Sequence, residues 1–333
     1  MRWLIKIVLT IGLLWSGYWF IGATALERGG TAWLEERRAD GWVAEAASVQ
    51  TIGYPTAFRT VLSDLTLADP ETGVAWTVPA FTVEAPTYAP NRISAILPPE
   101  QTLASPLERL TLRADTLRAD VAFVPDTALT LESSQATASD LSIMSNDGWV
   151  VALGSAQAIT RQTENDPLAH RIVADITGFT PDPQFKASID PGELLPNAVD
   201  TLTLDATVAF DAPCDRYAVE EARPQPTRLD LALIRGKWGA LDLRAAGTLD
   251  IDASGIASGR VDVKAENWRE MLDIAVATEL LPRDLAPTIE NALEVLAGLS
   301  GNPNSIDVPL SFQNGFYSLG PLPLGPAPRF RIR

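Results

Sequence analysis

The sequence predicts a mainly β protein with a few helices: an N-terminal transmembrane helix, then a curved antiparallel β-sheet or sandwich with two C-terminal helices and a closing hairpin. Three observations lead there. Ile7 to Leu26 carry no charge, and as a helix they reach about 30 Å, the thickness of a bilayer's hydrocarbon core. Beyond Gly41, apolar side chains recur at every second position, the period of a strand with one dry and one wet face. From Asn267 to Gly298 the period becomes helical, and Asn314-Gly315 then separates two alternating runs, as in a two-residue hairpin turn. The boundaries follow: 1–26 a signal-anchor helix, 27–47 a short juxtamembrane helix and linker, 48–333 an exported β-rich domain.

Arg2 and Lys6 precede the uncharged run and the whole chain carries a net charge of -16. The positive-inside rule therefore puts the N-terminus in the cytoplasm and the rest in the periplasm, anchored to the inner membrane through residues 7–26. Trp15, Tyr18, Trp19 and Phe20 crowd the far end of the run, where amphipathic rings favour the interface. The basic start, the apolar run and the small residues Ala23 and Ala25 also describe a cleavable signal. The run is longer than a usual signal core, and Tyr18-Trp19-Phe20 stand where a cleavage region turns small and polar. Retention is the expectation. A helix over 31–39, carrying Trp33 and Leu34, follows it.

Strands are expected at 61–68, 74–83, 137–143, 149–159 and 171–178. The apolar parity changes between Leu110–Ala114 and Leu117–Phe123, which predicts a bulge near Asp115-Thr116. Prolines 79, 86, 90, 98, 99, 106 and 125 point to edge strands and long loops. The clearest alternation is Leu202 to Phe210. It recurs at 229–233, 241–251 and 259–265, with turns expected at Arg235-Gly236-Lys237 and Asp252–Gly255. Short joints force antiparallel pairing. Residues 199–265 thus read as a four-stranded meander burying Leu204, Val208, Leu231, Leu243, Leu249 and Val261 on one face. Asp242 and Asp250 fall on the other face and should tolerate change.

Two helices follow. Asn267 and Glu270 have the spacing of a capping box, with Met271, Leu272, Ala275 and Val276 as the apolar stripe and Pro282 as the stop. Asp284 would cap the second, whose Ile289, Leu293, Leu296 and Ala297 share a face. Ile306–Phe312 and Phe316–Leu319 form the closing hairpin around Asn314-Gly315.

The acidic charge excludes nucleic acid, which needs basic surface. The interleaved Arg329, Arg331 and Arg333 read as a frayed, solvated terminus. One cysteine, Cys214, allows no internal disulfide and reads as a small loop residue beside Pro213. One histidine, His170, has no carboxylate or serine at a telling spacing and reads as a solvated loop or strand-edge residue. Asp250, Asp252, Ser254 and Gly255 copy the first half of an EF-hand loop, but its twelfth position is Val261 rather than glutamate. Phosphate-loop, dinucleotide and nucleophile-elbow motifs are missing, and no acidic pair stands out for glycoside hydrolysis. The sequence therefore assigns no catalytic, metal or cofactor-binding residue, calls for no cofactor, and is expected to be non-catalytic.

Several segments together resemble the domain-of-unknown-function family 2125. They are Gly53-Tyr54-Pro55 before a first strand, Ala265-Glu266-Asn267-Trp268 at a strand-to-helix junction, and Pro309-Leu310-Ser311-Phe312-Gln313-Asn314-Gly315 followed by Leu319-Gly320-Pro321-Leu322. The strand style and the hairpin are also similar to AsmA-like envelope proteins. That resemblance implies an inner-membrane anchor, a curved sheet with a greasy concave face and a link to lipid homeostasis, in a chain much shorter than the bridge-forming members. Two functional readings stay open: an apolar face that holds or passes lipid acyl chains, or a dry β-sandwich serving envelope proteins as scaffold or interaction module.

Overall fold

The computed structural model describes residues 1–220, 222–279, 281–300, 302–320 and 322–332. They form two compact units: residues 1–125 with 136–148, and residues 126–135 with those from Trp149 onward.

The first unit opens on one helix, α1 (Arg2–Ala39), so the span and the helix expected over 31–39 are continuous. Gly29 and Gly30 each cost a helix about 1 kcal/mol relative to alanine, and packing of the turns beyond them outweighs this. Leu34 is buried among Ala44, Leu62, Leu65 and Val78. Arg38 Nε donates to the Ala44 carbonyl at 2.7 Å, and Glu27 accepts the Thr51 N–H at 2.7 Å.

Two short strands, β1 (Val43–Glu45) and β2 (Ser48–Ile52), pair side by side along the long β3 (Ala57–Asp69). β3 pairs in turn with β4 (Val74–Pro86). Asp64, at φ 49°, interrupts the ladder between the pairs Ser63–Ala80 and Leu65–Val78, opposite Pro79, without shifting the register. A proline there costs no ladder hydrogen bond, because the pairing is already interrupted at Asp64. On its other edge β4 pairs with β6 (Glu100–Ala104) before Pro79 and with β5 (Arg92–Ile96) beyond it. β7 (Arg109–Arg113) joins β6 and β9 (Leu131–Ser145), while β8 (Thr116–Phe123) joins β5. The expected bulge at Asp115-Thr116 is therefore a strand break. The two halves serve different partners, and the parity change falls where the chain crosses between them.

In the second unit the strands are β10 (Val150–Gln162), β11 (Ala169–Phe179), β12 (Val199–Phe210), β13 (Pro226–Trp238), β14 (Leu241–Ile251), β15 (Ala257–Glu266), β16 (Ser305–Gln313), β17 (Phe316–Leu319) and β18 (Leu322–Pro326). Each pairs antiparallel with the next. The meander over 199–265 is present, but one turn is displaced. Arg235-Gly236-Lys237 is paired strand, and the chain reverses after Trp238. Gly239 takes φ 57°, its N–H donates to Asp200, and Trp238 Nε1 donates to the Pro196 carbonyl. The second turn is as expected: Asp252 Oδ1 accepts from Ser254 N, Ser254 Oγ and Ile256 N.

The helices are α2 (Pro183–Ile189), α3 (Tyr217–Glu220), α4 (Trp268–Ala277) and α5 (Ala286–Ser300). Asp182 caps α2 through the Gln184 and Phe185 N–H groups, with Pro183 at the first helical position. Asn267 stands at the N-cap of α4 but is left-handed, at φ 59°, and its side chain donates to the Ala240 carbonyl instead of capping. There is no capping box. α4 ends at Ala277, before Pro282, and α5 begins at Ala286, so Asp284 is not adjacent to it. In the closing hairpin Asn314 and Gly315 both have positive φ, 53° and 77°, as a type I′ turn requires.

The tail is not frayed. Phe330 N donates to the Gly255 carbonyl, and Ile332 N donates to Gln225, whose amide returns a bond to the Ile332 carbonyl. Arg329 and Arg331 are exposed on this pinned segment. Arg333, and Pro321 of the closing motif, lie outside the described residues.

Candidate functional site

Registers in the second unit line up side chains of one parity across the ladder. One row runs Ala156, Ile176, Leu202, Gly236, Leu243, Ala265, Ile306, and the next Ala158, Ala174, Leu204, Ile234, Ala245, Val263, Val308. Neither row contains a charge. At the β15–β16 end the rows are covered: Ala265, Ile306 and Val308 are buried under Trp268 of α4 and Ile289, Leu293 and Ala297 of α5. Toward β12 the cover stops. Leu202, Ile234 and Leu243 are 37%, 37% and 38% exposed. The expected shared core face is thus only partly a core. Leu249 and Val261 are buried, Leu204, Val208 and Leu231 are half-buried, and Leu243 is exposed.

Where the cover begins, the helices do not close onto the sheet. A cavity of about 770 Å³ lies between them, within the roughly 300–1,000 Å³ typical of ligand pockets. Leu243, Val263, Ala265 and Ile306 supply its sheet side; Trp268, Met271, Leu272 and Ala275 of α4, Thr288, Ile289 and Leu293 of α5, and the connecting Leu281, Pro282 and Leu285 supply the rest, with Tyr317, Leu319, Pro323 and Leu324 beyond. Trp268 holds the wall upright, since its Nε1 donates to the Pro303 carbonyl at 3.1 Å and Arg269 covers its ring at 4.4 Å. None of the lining residues is a carboxylate, histidine, lysine, arginine or cysteine. Among the described residues, Thr288 and Tyr317 supply its only side-chain hydroxyls. Such a lining can desolvate an apolar ligand and orient one polar end.

The residues singled out from sequence lie elsewhere. His170 is buried at 1% exposure on β11, in contact with Phe210, and neither ring nitrogen has a partner. It is a core residue rather than a solvated one, and burial pushes its pKa below the ordinary value. Cys214 is half-buried in a loop whose carbonyl accepts from Leu131 N, and burial, helped by Asp215, raises its thiol pKa. Asp242 reverses expectation. It is 7% exposed, and its two oxygens accept from Arg244 and Arg235 at 2.6–3.2 Å. Those guanidinium groups hold its carboxyl far below the ordinary carboxylate range. Asp250 is exposed and paired with Arg228.

What sequence reading missed is the connection between the two helices. Leu281 and Leu285 flank Pro282, which reads as a plain helix stop, yet all three line the cavity.

A family model described as an uncharacterized protein conserved in bacteria, DUF2125, matches residues 19–328. No curated protein and no solved structure matches the chain. The family match begins at Trp19 and runs through the strands of both units, the cavity helices and the closing hairpin. On that coverage the chain belongs to the bacterial family DUF2125.

Proposed function

We propose that this protein is a non-catalytic, single-pass inner-membrane protein with its β units in the periplasm, and that the second unit holds a lipid acyl chain in the cavity beneath α4 and α5. The carrying observation is that cavity: large, uncharged and continuous through Leu243 with the exposed apolar row on β12–β14. Each methylene buried there contributes about 0.8 kcal/mol, and exposed apolar patches of a few hundred Å² on a monomer often mark binding sites. An acyl-holding sheet face is also the feature that a likeness to AsmA-like envelope proteins would explain.

The anchor reading is supported by α1 itself, one helix long and apolar enough to cross a membrane. Retention is supported by its packing: Trp19 and Ala23, both 5% exposed, form a buried cluster with Phe58. Ala23, one of the two small residues that resemble a cleavage site, thus has a role as close-packing surface, while Ala25 is exposed.

The test is lipid extraction and mass spectrometry of the full-length protein purified in gentle detergent, compared with Ala275→Trp, which fills the cavity. The proposal expects one acyl lipid class to be depleted in the variant while the lipid around α1 is unchanged. Identical lipid content in two well-folded samples would sink it and leave the scaffold reading, in which the cavity is dry.

A further inference from the structure

We infer that the two loops around Tyr54 and Tyr88 are a membrane-seating edge, placing the first unit in the head-group layer of the bilayer that α1 crosses; this rests on α1 being retained as the span. Four bonds tie these loops to the aromatic end of the helix. Trp15 Nε1 donates to the Pro55 carbonyl at 2.9 Å and Trp19 Nε1 to the Ala57 carbonyl at 2.9 Å. Tyr18 Oη donates to the Thr87 carbonyl at 3.1 Å, and Ser16 shares a 2.8 Å bond with Tyr54 Oη. Both loops therefore sit at the height of Trp15–Trp19 along the helix.

Length then fixes the depth. From Arg2 to Leu14 the helix rises about 20 Å, short of a hydrocarbon core of roughly 30 Å. The span must include turns that are docked on the loops, so the loops come down to the membrane with them. Their composition fits that position. Residues 52–58 and 85–91 carry no charge in an otherwise acidic chain; the flanking charges are Arg59 and Glu84, paired at 2.9 Å, and the exposed Arg92, whose N–H donates to the Ala89 carbonyl. Ile52, Tyr54 and Tyr88 are 50%, 52% and 77% exposed, and tyrosine favours the interface, where its ring and hydroxyl are both accommodated. The loop backbone is largely satisfied: Thr56 N and Ala57 N donate to the Gly53 carbonyl, Thr87 N to the Thr56 carbonyl, and Thr87 Oγ1 to the Pro55 carbonyl. That is the condition for bringing loops close to hydrocarbon. With Arg92 and the paired Arg59 at its margin and no cluster of basic residues, the edge has as its partner the zwitterionic phospholipid interface.

The experiment uses full-length protein carrying Cys214→Ser and one new cysteine, labelled with a fluorophore and reconstituted in phosphatidylcholine nanodiscs containing nitroxide lipids. Tyr88→Cys, with Pro90→Cys as a second site, should lose emission to head-group nitroxides. Leu107→Cys should not, because Leu107 is 90% exposed beside Pro106, which packs on Gly73 at the other end of the β3–β4 hairpin. Ile11→Cys, quenched by nitroxides deep in the chains, reports the anchor. Quenching at Ile11 with none at 88 or 90 overturns the seating edge and leaves the anchor standing. Equal quenching at 88 and 107 also overturns it. No quenching at Ile11 removes the anchor and the inference together.

Discussion

His170 illustrates how a single side chain can set a pH window. Its ring is buried without a hydrogen-bond partner, so the folded protein holds it neutral and its pKa lies below the ordinary 6.5. As pH falls below about 6.5, the unfolded chain binds a proton that the folded chain refuses, and stability drops until the folded value is passed. Urea unfolding midpoints for the second unit should therefore fall between pH 7 and pH 5, and His170→Leu should flatten that slope. A slope unchanged by the substitution would show that another group is responsible. The carboxylates act lower. Asp242, held charged by Arg235 and Arg244, contributes stability that is present above its unfolded value near 3.8 and is lost as pH falls through its depressed folded value. Asp242→Asn should cost about 1–3 kcal/mol, reduced by the partial exposure of both arginines, while Asp250→Asn should stay within roughly 0.5 kcal/mol. Parity alone put Asp242 on a wet face. What it could not show is that Arg235 and Arg244 stand beside it and cover it.

At the scale of elements, the cover over the sheet separates positions that look alike in sequence. Leu249 and Leu243 have the same parity on β14, yet Leu249 is 2% exposed and Leu243 is 38% exposed. Leu249→Asp should unfold the second unit, whereas Leu243→Asp should leave its melting temperature nearly unchanged and, on the proposed function, reduce lipid content alone. Circular dichroism melts of both variants check this, and a large loss at Leu243 would mean that the helices extend over it. Leu293→Ala, under α5, should cost about 2–5 kcal/mol as a buried truncation. The meander was legible because a sheet wet on one side writes its period directly into the chain, and the hairpin because Asn314-Gly315 satisfies a backbone that few other pairs can. The turn after β13 was not, since Gly236 and Gly239 offer the same signal three residues apart and only pairing with β14 decides between them. Nor was the cavity: an apolar stripe reads the same whether helices press on it or stand off. The α4–α5 connection that decides this looks like an ordinary proline stop.

For the whole chain the deciding question is whether its first residues stay. A secretory signal makes no contacts with the domain it delivers, whereas α1 is built into the first unit along its second half. Gly22 shows how closely. A Cβ added there would stand 2.6 Å from Phe58 Cζ, and that ring is itself buried and stacked on Trp19 at 6.0 Å, so it has little room to yield. Gly22→Val should therefore loosen the helix from β3 at about 1–3 kcal/mol, the usual cost of overpacking. In membranes this would appear as faster proteolysis of the first unit, with the chain still resistant to carbonate extraction because the span itself is intact. The unsubstituted protein should show an intact mass that includes residues 1–25. A mature chain starting at Leu26 would strip Trp19 and Ala23 from Phe58 and leave the apolar surface around Tyr54 bare, so the same spectrum that removed the anchor would also predict a first unit prone to aggregate. Retention and a stable first unit stand or fall together, and one mass measurement paired with one proteolysis curve tests both.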